Sequence, residues 1–311
     1  MMAALDFSTK IGSKRFSNPI FTASGCASSG QELSQFFPLS ELGAIVTKSI
    51  MTKPRTGRMT PRMAETPSGM LNSIGLQGPG IDVFLENDVP WLVDQKVKTI
   101  VSIAGETVDE YGVLSRRLRS CPGISAVEVN ISCPNVENRG QVFACHPDTS
   151  VAVIESVRRN IGGELPIIAK LSPDVTDIVE IAAAVINAGV DGLALINTLL
   201  GMVIDTNTMK PKLAGKTGGL SGPAIRPVAV RAIYQVHQAF PQTPIVGMGG
   251  VTTGRDALEL ILAGASAVSI GTANFGNPTA AISVKNELSE LLMQRGFKDF
   301  HDAVGFAHRG V

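Results

Sequence analysis

Short apolar runs rich in β-branched residues alternate with longer amphipathic stretches along the chain. Runs of the first kind are typical of strands buried in a parallel sheet, and the amphipathic stretches are typical of helices that cover such a sheet. The pattern predicts strands over residues 19–23, 44–47, 99–103, 126–131, 166–171, 192–196, 244–247 and 267–270. It predicts helices over residues 31–37, 108–118, 150–159, 177–187, 224–238, 254–262 and 279–294.

Eight strands separated by helices within 311 residues predict an α/β fold of the (β/α)8 TIM barrel type. A doubly wound open sheet is the alternative, although no G-x-G-x-x-G follows the first predicted strand. Residues 50–76 and 197–222 interrupt the repeat and predict insertions at the C-terminal mouth, where barrel active sites are built. Since the chain has no linker and no low-complexity tract, we expect residues 1–311 to form a single domain.

Charge and cysteine content narrow the class of protein. The chain carries 27 Lys+Arg against 27 Asp+Glu, so no basic surplus indicates a nucleic-acid partner. Cys26, Cys121, Cys133 and Cys145 form no C-x-x-C pair and lack zinc-finger spacing, so we expect reduced thiols, no metal site and a cytoplasmic protein. Residues 1–10 do not resemble a signal peptide, and no apolar run reaches the roughly 18 residues of a membrane span.

Polar residues follow most of the predicted strands, and in a barrel the ends of all strands face one mouth. Each of these residues alone is more often a solvated loop residue, but the barrel would bring them together. The set comprises Ser24, Lys48, Ser102, Asn130, Cys133, Lys170, Asn197, Thr198, Gly249, Gly250, Gly271 and Thr272.

Glycine-rich loops follow the last two predicted strands. Residues 246–250 read V-G-M-G-G and residues 269–273 read S-I-G-T-A, and residues 218–222 (G-G-L-S-G) offer a further stretch of exposed amides. Backbone N–H groups in such loops bind phosphate, so the pattern predicts a phosphate site. Tight turns without a ligand are the alternative, and the phosphate would belong to a substrate or to flavin mononucleotide.

Lys48 and Lys170 each end an apolar run, so each is expected to point into a partly buried mouth. A buried ammonium group needs a partner of opposite charge. A flavin meets that need because its reduction places negative charge near N1 and O2. A Schiff-base lysine, as in an aldolase barrel, is the competing interpretation. Two lysines beside several amides and a thiol favour the flavin.

Residues 127–136 read V-E-V-N-I-S-C-P-N-V, so the strand ends in a thiol between two amides. Cys133 is either an inert buried thiol or a base that accepts a proton. The amides of Asn72, Asn130, Asn135 and Asn197 pair donors with acceptors. Such a set suits a pyrimidine-like ring, whose N–H and C=O groups alternate.

These motifs together resemble those of class 1 dihydroorotate dehydrogenases over essentially the whole chain. They are F-T-A-S-G at 21–25, T-K-S at 47–49, E-T-P-S-G-M-L-N-S-I-G-L-Q-G-P-G at 65–80, N-I-S-C-P-N at 130–135, I-N-T-L-L-G-M at 196–202, K-T-G-G-L-S-G-P-A at 216–224, G-M-G-G at 247–250 and I-G-T-A at 270–273. The wording of the third and fifth motifs is most similar to class 1B. The resemblance implies oxidation of dihydroorotate to orotate in pyrimidine biosynthesis.

The resemblance also implies roles for individual residues. Cys133 would remove a proton from C5 of dihydroorotate while a hydride passes from C6 to N5 of FMN. The residues implied to line the orotate pocket are Lys48, Asn72, Ser73, Ile74, Gly75, Leu76, Asn130, Asn135, Asn197 and Thr198. Those implied to hold one FMN per chain are Ser24, Lys48, Ser49, Ser102, Asn130, Lys170, Ile196, Gly222, Gly249, Gly250, Gly271 and Thr272.

Class 1B implies a homodimer within a heterotetramer, whose second subunit carries FAD and a [2Fe-2S] cluster and passes electrons to NAD. Ser102 departs from the asparagine expected in class 1B and is typical of the fumarate-linked, homodimeric class 1A. A fumarate-linked enzyme is therefore the second hypothesis. A non-catalytic phosphate- or nucleotide-binding barrel is the third.

Overall fold

The computed structural model describes residues 5–131 and 146–310 of the chain. The strands of these two ranges are β1 (Thr9–Ile11), β2 (Lys14–Phe16), β3 (Ile20–Thr22), β4 (Ile45–Val46), β5 (Met63–Thr66), β6 (Gly69–Asn72), β7 (Thr99–Ile103), β8 (Ile124–Asn130), β9 (Ile167–Lys170), β10 (Gly192–Leu195), β11 (Leu199–Met202), β12 (Ile204–Asp205), β13 (Lys210–Pro211), β14 (Thr217–Ser221), β15 (Ile245–Met248) and β16 (Ala267–Ile270).

The helices of the same ranges are α1 (Ile81–Val83), α2 (Val89–Asp94), α3 (Val108–Leu118), α4 (Pro147–Ile161), α5 (Ile178–Asn187), α6 (Arg226–Ala239), α7 (Gly254–Ala263), α8 (Ala273–Gly276) and α9 (Ala280–Gln294). Side-chain oxygens cap the N-termini of several of these helices. Thr107 accepts from the backbone N–H of Glu110 at α3, and Thr253 and Asp256 form a capping box at α7. Such caps satisfy N–H groups that have no partner within the helix.

Eight strands form one parallel sheet in the order β3-β16-β15-β10-β9-β8-β7-β4. A parallel bridge between Phe21 and Ala44 brings its two edges together, and the backbone N–H of Thr22 donates to the Ala44 carbonyl at 3.3 Å. The sheet is therefore a nearly closed barrel, and these are the eight strands that the apolar runs predict. Their bounds differ from the predicted ones by no more than two residues.

Alternate residues of each barrel strand point inward, as the two-residue period of a strand requires. The inward residues build a buried apolar layer that includes Phe21, Val46, Ile100, Ala126 and Ile168. The β1–β2 hairpin closes the N-terminal end of this layer with Ile11 and Phe16, a feature the sequence pattern did not predict. The outward residues pack against the helices in one larger core.

The two insertions join each other at the mouth. Strands β5 and β6 come from the first, β11 and β14 from the second, and they form one antiparallel sheet in the order β11-β14-β6-β5. Asn72 pairs with Gly219 and Leu71 with Leu220, so each insertion sets the position of the other.

The helix predicted over residues 31–37 is wrong. The structure has two short 3-10 turns there, Leu33–Gln35 and Leu39–Glu41. Gly30 has a φ of +97° immediately before this segment, and Pro38 immediately after it disfavours helical backbone at Phe37, so the residues between them form a short 3-10 turn and not an α-helix. The segment from α1 to α2, which includes a π-helical stretch over Phe84–Asp88, was not predicted.

Candidate active site

A polar layer lies inside the barrel one step nearer the mouth than the apolar layer. Ser102, Glu128 and Lys170 stand two residues after Ile100, Ala126 and Ile168, so the strand period turns them inward. Each is almost wholly buried, Glu128 to 2% exposure and Lys170 to 4%. Buried ionised groups require partners, and these two provide them for each other.

The polar groups of this layer form a continuous chain of contacts. Lys170 Nζ lies 3.7 Å from Glu128 Oε1, and Ser102 Oγ donates to the same carboxylate oxygen at 2.9 Å. Ser49 Oγ lies 2.9 Å from Ser102 Oγ, and Asn130 Nδ2 donates to Ser49 Oγ at 3.1 Å. The chain thus links β9, β8 and β7 to the loop after β4.

A hydrogen bond from an aromatic residue of α3 fixes the end of β8. The hydroxyl of Tyr111 is buried and donates to the carbonyl of Asn130 at 2.8 Å. This contact holds the strand at the last residue before the segment that carries the predicted thiol. Cys133 and Asn135, the other two site residues predicted near here, lie outside the described residues.

The glycine loops after β14, β15 and β16 surround one cavity of about 200 Å³. Gly222, Gly249 and Gly250 have φ values of +95°, +134° and +71°, a backbone region that disfavours side chains. A Cβ on Gly250 would lie 2.7 Å from the Gly222 carbonyl oxygen, so the two loops approach as closely as glycine permits. Gly271 and Thr272 complete the lining, as the sequence predicts.

Hydrogen bonds hold these loops to their neighbours. Thr272 Oγ1 donates to Ser221 Oγ at 2.8 Å, and Arg226 donates to the Gly250 carbonyl at 3.4 Å. Arg226 also pairs with Asp256 at 2.8 Å. Ser269 Oγ borders the same cavity and is buried, with no hydrogen-bond partner among the described residues. An orphaned hydroxyl beside a glycine cradle fits a polar ligand with a phosphate end.

A second cavity of about 360 Å³ adjoins the first, and the two share Ser24, Cys26, Lys170, Asn197, Thr198 and Ser221 in their linings. The predicted residues that border only the second are Lys48, Ser49, Asn72, Ile74, Leu76 and Asn130. Ile196 borders the first. One continuous space therefore has a glycine-amide end and an end rich in side-chain amides, as a nucleotide cofactor beside a polar ring requires.

Three of the predicted residues within the described ranges border neither cavity. Ser102 lies one hydroxyl behind Ser49. Ser73 is buried and accepts from Arg58 at 3.1 Å, so it orders the first insertion from within. Gly75 has a φ of +79° and lies against Arg58, where a Cβ would meet the Arg58 backbone nitrogen at 2.8 Å. Their direct contact with a ligand stays a prediction.

Two positive side chains flank the thiol of Cys26 at the junction of the cavities. Burial raises the pKa of this thiol, while the ammonium groups of Lys170 and then Lys48 act in the opposite direction. Lys48 Nζ would lie 3.4 Å from a Cβ on Gly25, and both residues border the second cavity. Both lysines therefore reach the same mouth, which favours an anionic or electron-accepting ligand.

Sequence reasoning missed Glu128, Tyr111, Cys26 and Ser221. The strand period was the signal for Glu128, since it stands two residues before Asn130 in an apolar run and must share its face. Cys26 follows the first strand by the same rule as Ser24. No comparable signal exists for Tyr111, because its helix position is an ordinary core position.

Among the described residues, no helix is both long and apolar enough to cross a bilayer.

Comparison with known proteins gives one consistent family. The family model described as dihydroorotate dehydrogenase matches residues 6–292. The chain is 52% identical over 292 residues to the "Dihydroorotate dehydrogenase B (NAD(+)), catalytic subunit" of Desulforudis audaxviator, covering 94% of both chains. It is 51% identical over 304 residues to the protein of the same name from Desulforamulus reducens, covering 98% of this chain and 99% of that one.

A solved structure agrees on the fold. The crystal structure of DHODH in complex with ferulenol from Eimeria tenella superposes with a TM-score of 0.83 at 24% identity, covering 98% of this chain and 89% of that chain. At this identity the likeness concerns the fold alone.

Proposed function

The chain belongs to the dihydroorotate dehydrogenase family, and from that premise we propose that it oxidises (S)-dihydroorotate to orotate in pyrimidine biosynthesis. The observation that carries the proposal is the pair of adjoining cavities, one walled by glycine amides and the other by side-chain amides and lysines. A nucleotide cofactor and a small polar ring would fit this division end to end.

FMN is the proposed cofactor, one per chain. Its phosphate would lie against the backbone amides of Gly249, Gly250, Gly271 and Thr272, where positive-φ glycines leave room for close approach. Lys170 and Asn130 would face the ring system, and the unpartnered Ser269 hydroxyl supports a polar ligand there. When bound, FMN supplies an acceptor for the two electrons of the substrate.

Dihydroorotate is the proposed substrate of the second cavity. Its ring alternates N–H and C=O groups, which amides can bind, and it carries a carboxylate, which a positive charge can bind. Asn72, Asn130 and Asn197 supply the amides, and Lys48 supplies the charge at the cavity edge. The side-chain oxygen Oδ1 of Asn197 accepts from the Thr198 backbone N–H at 2.9 Å, so the side-chain NH2 group of Asn197 has a set direction.

Cys133 is the proposed base. Removal of the C5 proton by its thiolate, with departure of the C6 hydrogen as hydride, leaves the C5=C6 double bond of orotate. The proton stays on sulfur until it passes to solvent. Asn135 is proposed to bind the substrate on the same segment. Both assignments rest on the motif at residues 130–135 and on the fixed end of β8 beside it.

NAD is the proposed final acceptor, reached through a partner subunit with FAD and a [2Fe-2S] cluster. The relatives named above are catalytic subunits of NAD-linked enzymes, which supports this over the fumarate-linked hypothesis. Ser102, the residue that motivates fumarate, borders neither cavity in the described structure and reaches the site only through Ser49. The non-catalytic barrel has no support from these relatives.

A homodimer within that assembly is proposed as well. Leu200, Met202 and Ile204 leave about half of their surface exposed along one edge of the insertion region. Apolar side chains grouped at a sheet edge are typical of a contact between chains. Light scattering of the purified chain should give twice the monomer mass, and Met202→Glu should return it toward the monomer.

The activity has a direct test. Purified protein should be yellow, and anaerobic addition of dihydroorotate should bleach the flavin absorbance with release of orotate. NAD reduction should appear only on coexpression with the proposed iron–sulfur flavoprotein subunit. Turnover of fumarate by the isolated chain would support the alternative acceptor, and a folded protein that binds no FMN would contradict the proposal.

A further inference from the structure

We propose that Glu128 is a positioning residue of the flavin site: its carboxylate holds the Lys170 ammonium and sets the direction of the hydroxyl chain that orients the Asn130 amide. The inference rests on the proposed function, because it assigns a task to the layer beneath the proposed flavin. The observations that carry it are the burial of the Glu128–Lys170 pair and the order of contacts around it.

The donor and acceptor roles along these hydrogen bonds follow from the chemistry of a carboxylate. An ionised carboxylate can only accept hydrogen bonds. The single hydroxyl hydrogen of Ser102 is therefore donated to Glu128, 2.9 Å away. Ser102 can then only accept from Ser49, and Ser49 must donate to it across 2.9 Å. Ser49 has no second hydrogen, so it can only accept from the cavity side.

This sequence of donors fixes the amide at the end of β8. Because Ser49 Oγ can only accept there, Asn130 must present its NH2 group to it, as the 3.1 Å contact from Nδ2 has it. A reversed amide would set two acceptors against each other. The orientation of an amide that borders the substrate cavity is therefore determined by a negative charge two hydroxyls away, on Glu128.

The same carboxylate sets the charge at the cofactor. Lys170 borders both cavities, and its ammonium is compensated by Glu128 within an almost wholly buried layer. Positive charge beside a flavin favours the reduced form, which carries more negative charge. The pair thus holds a cation at the ring while limiting how strongly that cation favours reduction.

The central experiment measures the two-electron midpoint potential of bound FMN. Glu128→Gln keeps the shape but leaves Lys170 without its counter-ion, so the equilibrium constant for reduction should rise at least tenfold, which is about 30 mV for a two-electron couple. Glu128→Asp, which keeps the charge, should shift the potential less. A variant Glu128→Gln that holds FMN at the wild-type potential would overturn the proposal.

The matched control is Asp191→Asn. Asp191 forms an ion pair with Arg158 at 2.6 Å and accepts from the Ile167 N–H, at the far end of the same strands. Its loss should lower thermal stability and leave the potential unchanged. If Asp191→Asn shifts the potential as far as Glu128→Gln, the effect is general loosening of the barrel and the proposal fails.

Removal of a buried charge can prevent folding, so a second pair of variants tests the hydroxyl chain without touching the charges. Ser102→Ala removes the nearer of the two hydroxyls that can accept the Ser49 hydrogen, the other being Ser24 at 3.4 Å, and should weaken orotate binding at least threefold. Ser102→Asn should restore it, because its amide can donate to Glu128 and accept from Ser49. Wild-type orotate affinity in Ser102→Ala would overturn the proposal, whereas wild-type protein without FMN would defeat the proposed function instead.

Discussion

Asn72 and Gly219 face each other across the antiparallel pairing of β6 and β14, and the Asn72 amide nitrogen lies 3.4 Å from the Gly219 carbonyl oxygen. The two residues are 147 positions apart, one in each insertion. Thr198 occupies the space on the other side of Gly219, where a Cβ would lie 2.0 Å from its Oγ1. Gly219 therefore contacts both Asn72 and Thr198, which border the second cavity.

Gly219→Ala should therefore damage substrate binding more than cofactor binding. The added methyl group must displace Thr198, which borders both cavities, and it stands on the residue that pairs with Asn72, which borders only the second. We expect the dissociation constant of orotate to rise at least about tenfold, equivalent to about 1.4 kcal/mol. Titration of the flavin absorbance with orotate measures it, and the FMN content should stay at one per chain.

Gly163→Ala is the control for this substitution, since a Cβ there has no atom within 4 Å. It should bind orotate as the wild type does. Equal weakening in both variants would show that loss of glycine flexibility, rather than the position of Thr198, limits binding.

Gly250→Ala should release the cofactor. Its φ of +71° strains any side chain, and the new Cβ would lie 2.7 Å from the Gly222 carbonyl oxygen inside the proposed phosphate cradle. We expect FMN to bind at least about tenfold more weakly, a cost of about 1.4 kcal/mol or more. Equilibrium dialysis or fluorescence titration of the apoprotein with FMN gives the dissociation constant.

Gly296→Ala separates backbone strain from loss of the cradle. Gly296 has a φ of +82° and open space around its Cα, so the substitution carries similar strain without a contact in the site. Both variants should lose stability by about 1 kcal/mol. Only Gly250→Ala should lose FMN, and a parallel loss in Gly296→Ala would refute the assignment of the cradle.

The barrel could be predicted from the sequence because its strands are short, apolar and regularly spaced. Ile100, Ala126 and Ile168 show why the bounds were close: both faces of each strand are buried, so the apolar run begins and ends with the strand. The segment at Leu33–Gln35 shows the limit. Its apolar residues pack into the core from a single 3-10 turn, and composition alone does not distinguish such a turn from an α-helix.

The site was predictable wherever a residue stands at a strand end and not where the site depends on long-range pairing. Lys48, Lys170 and Asn130 were found because the barrel rule places them at one mouth. The joining of the two insertions through Leu71 and Leu220 was not, because nothing in either stretch specifies its partner. Ser102 was placed at the flavin by resemblance, whereas its neighbours in space are Ser49 and Glu128.

Cys133→Ser should abolish most of the activity while leaving the cofactor in place. A serine hydroxyl is a far weaker proton acceptor than a thiolate near neutral pH, and general base catalysis contributes about 10²–10⁴-fold to rate. We expect the rate of flavin bleaching by dihydroorotate to fall by a factor in that range, measured by anaerobic stopped flow. Part of the rate should return as the pH rises.

Cys121→Ser is the matched control, since Cys121 lies at the end of α3 away from both cavities. Its bleaching rate should equal that of the wild type. A Cys133→Ser variant that bleaches at the wild-type rate would exclude the thiol as the base.

His237, at the end of the barrel opposite the site, should make stability depend on pH. Burial lowers the pKa of this imidazole below 6.5, and the neighbouring His308 lowers it further. Its ring is enclosed by Gly264 and Gly305, and its Nδ1 has no hydrogen-bond partner among the described residues. The folded protein therefore keeps this ring neutral at a pH where the unfolded chain protonates it.

The sign follows from proton linkage. As the pH falls through 6.5, the unfolded state takes up a proton on His237 that the folded state does not, so the free energy of unfolding decreases with falling pH until the folded pKa is reached. The melting temperature of the wild type should thus fall further between pH 7.5 and 5.5 than that of His237→Gln. Both proteins carry the same carboxylates, so the contribution of these groups cancels when the two falls are subtracted. His301→Gln, a change at an exposed histidine on the same end of the barrel, should behave as the wild type, and an equal loss in wild type and His237→Gln would show that the buried ring does not carry the effect.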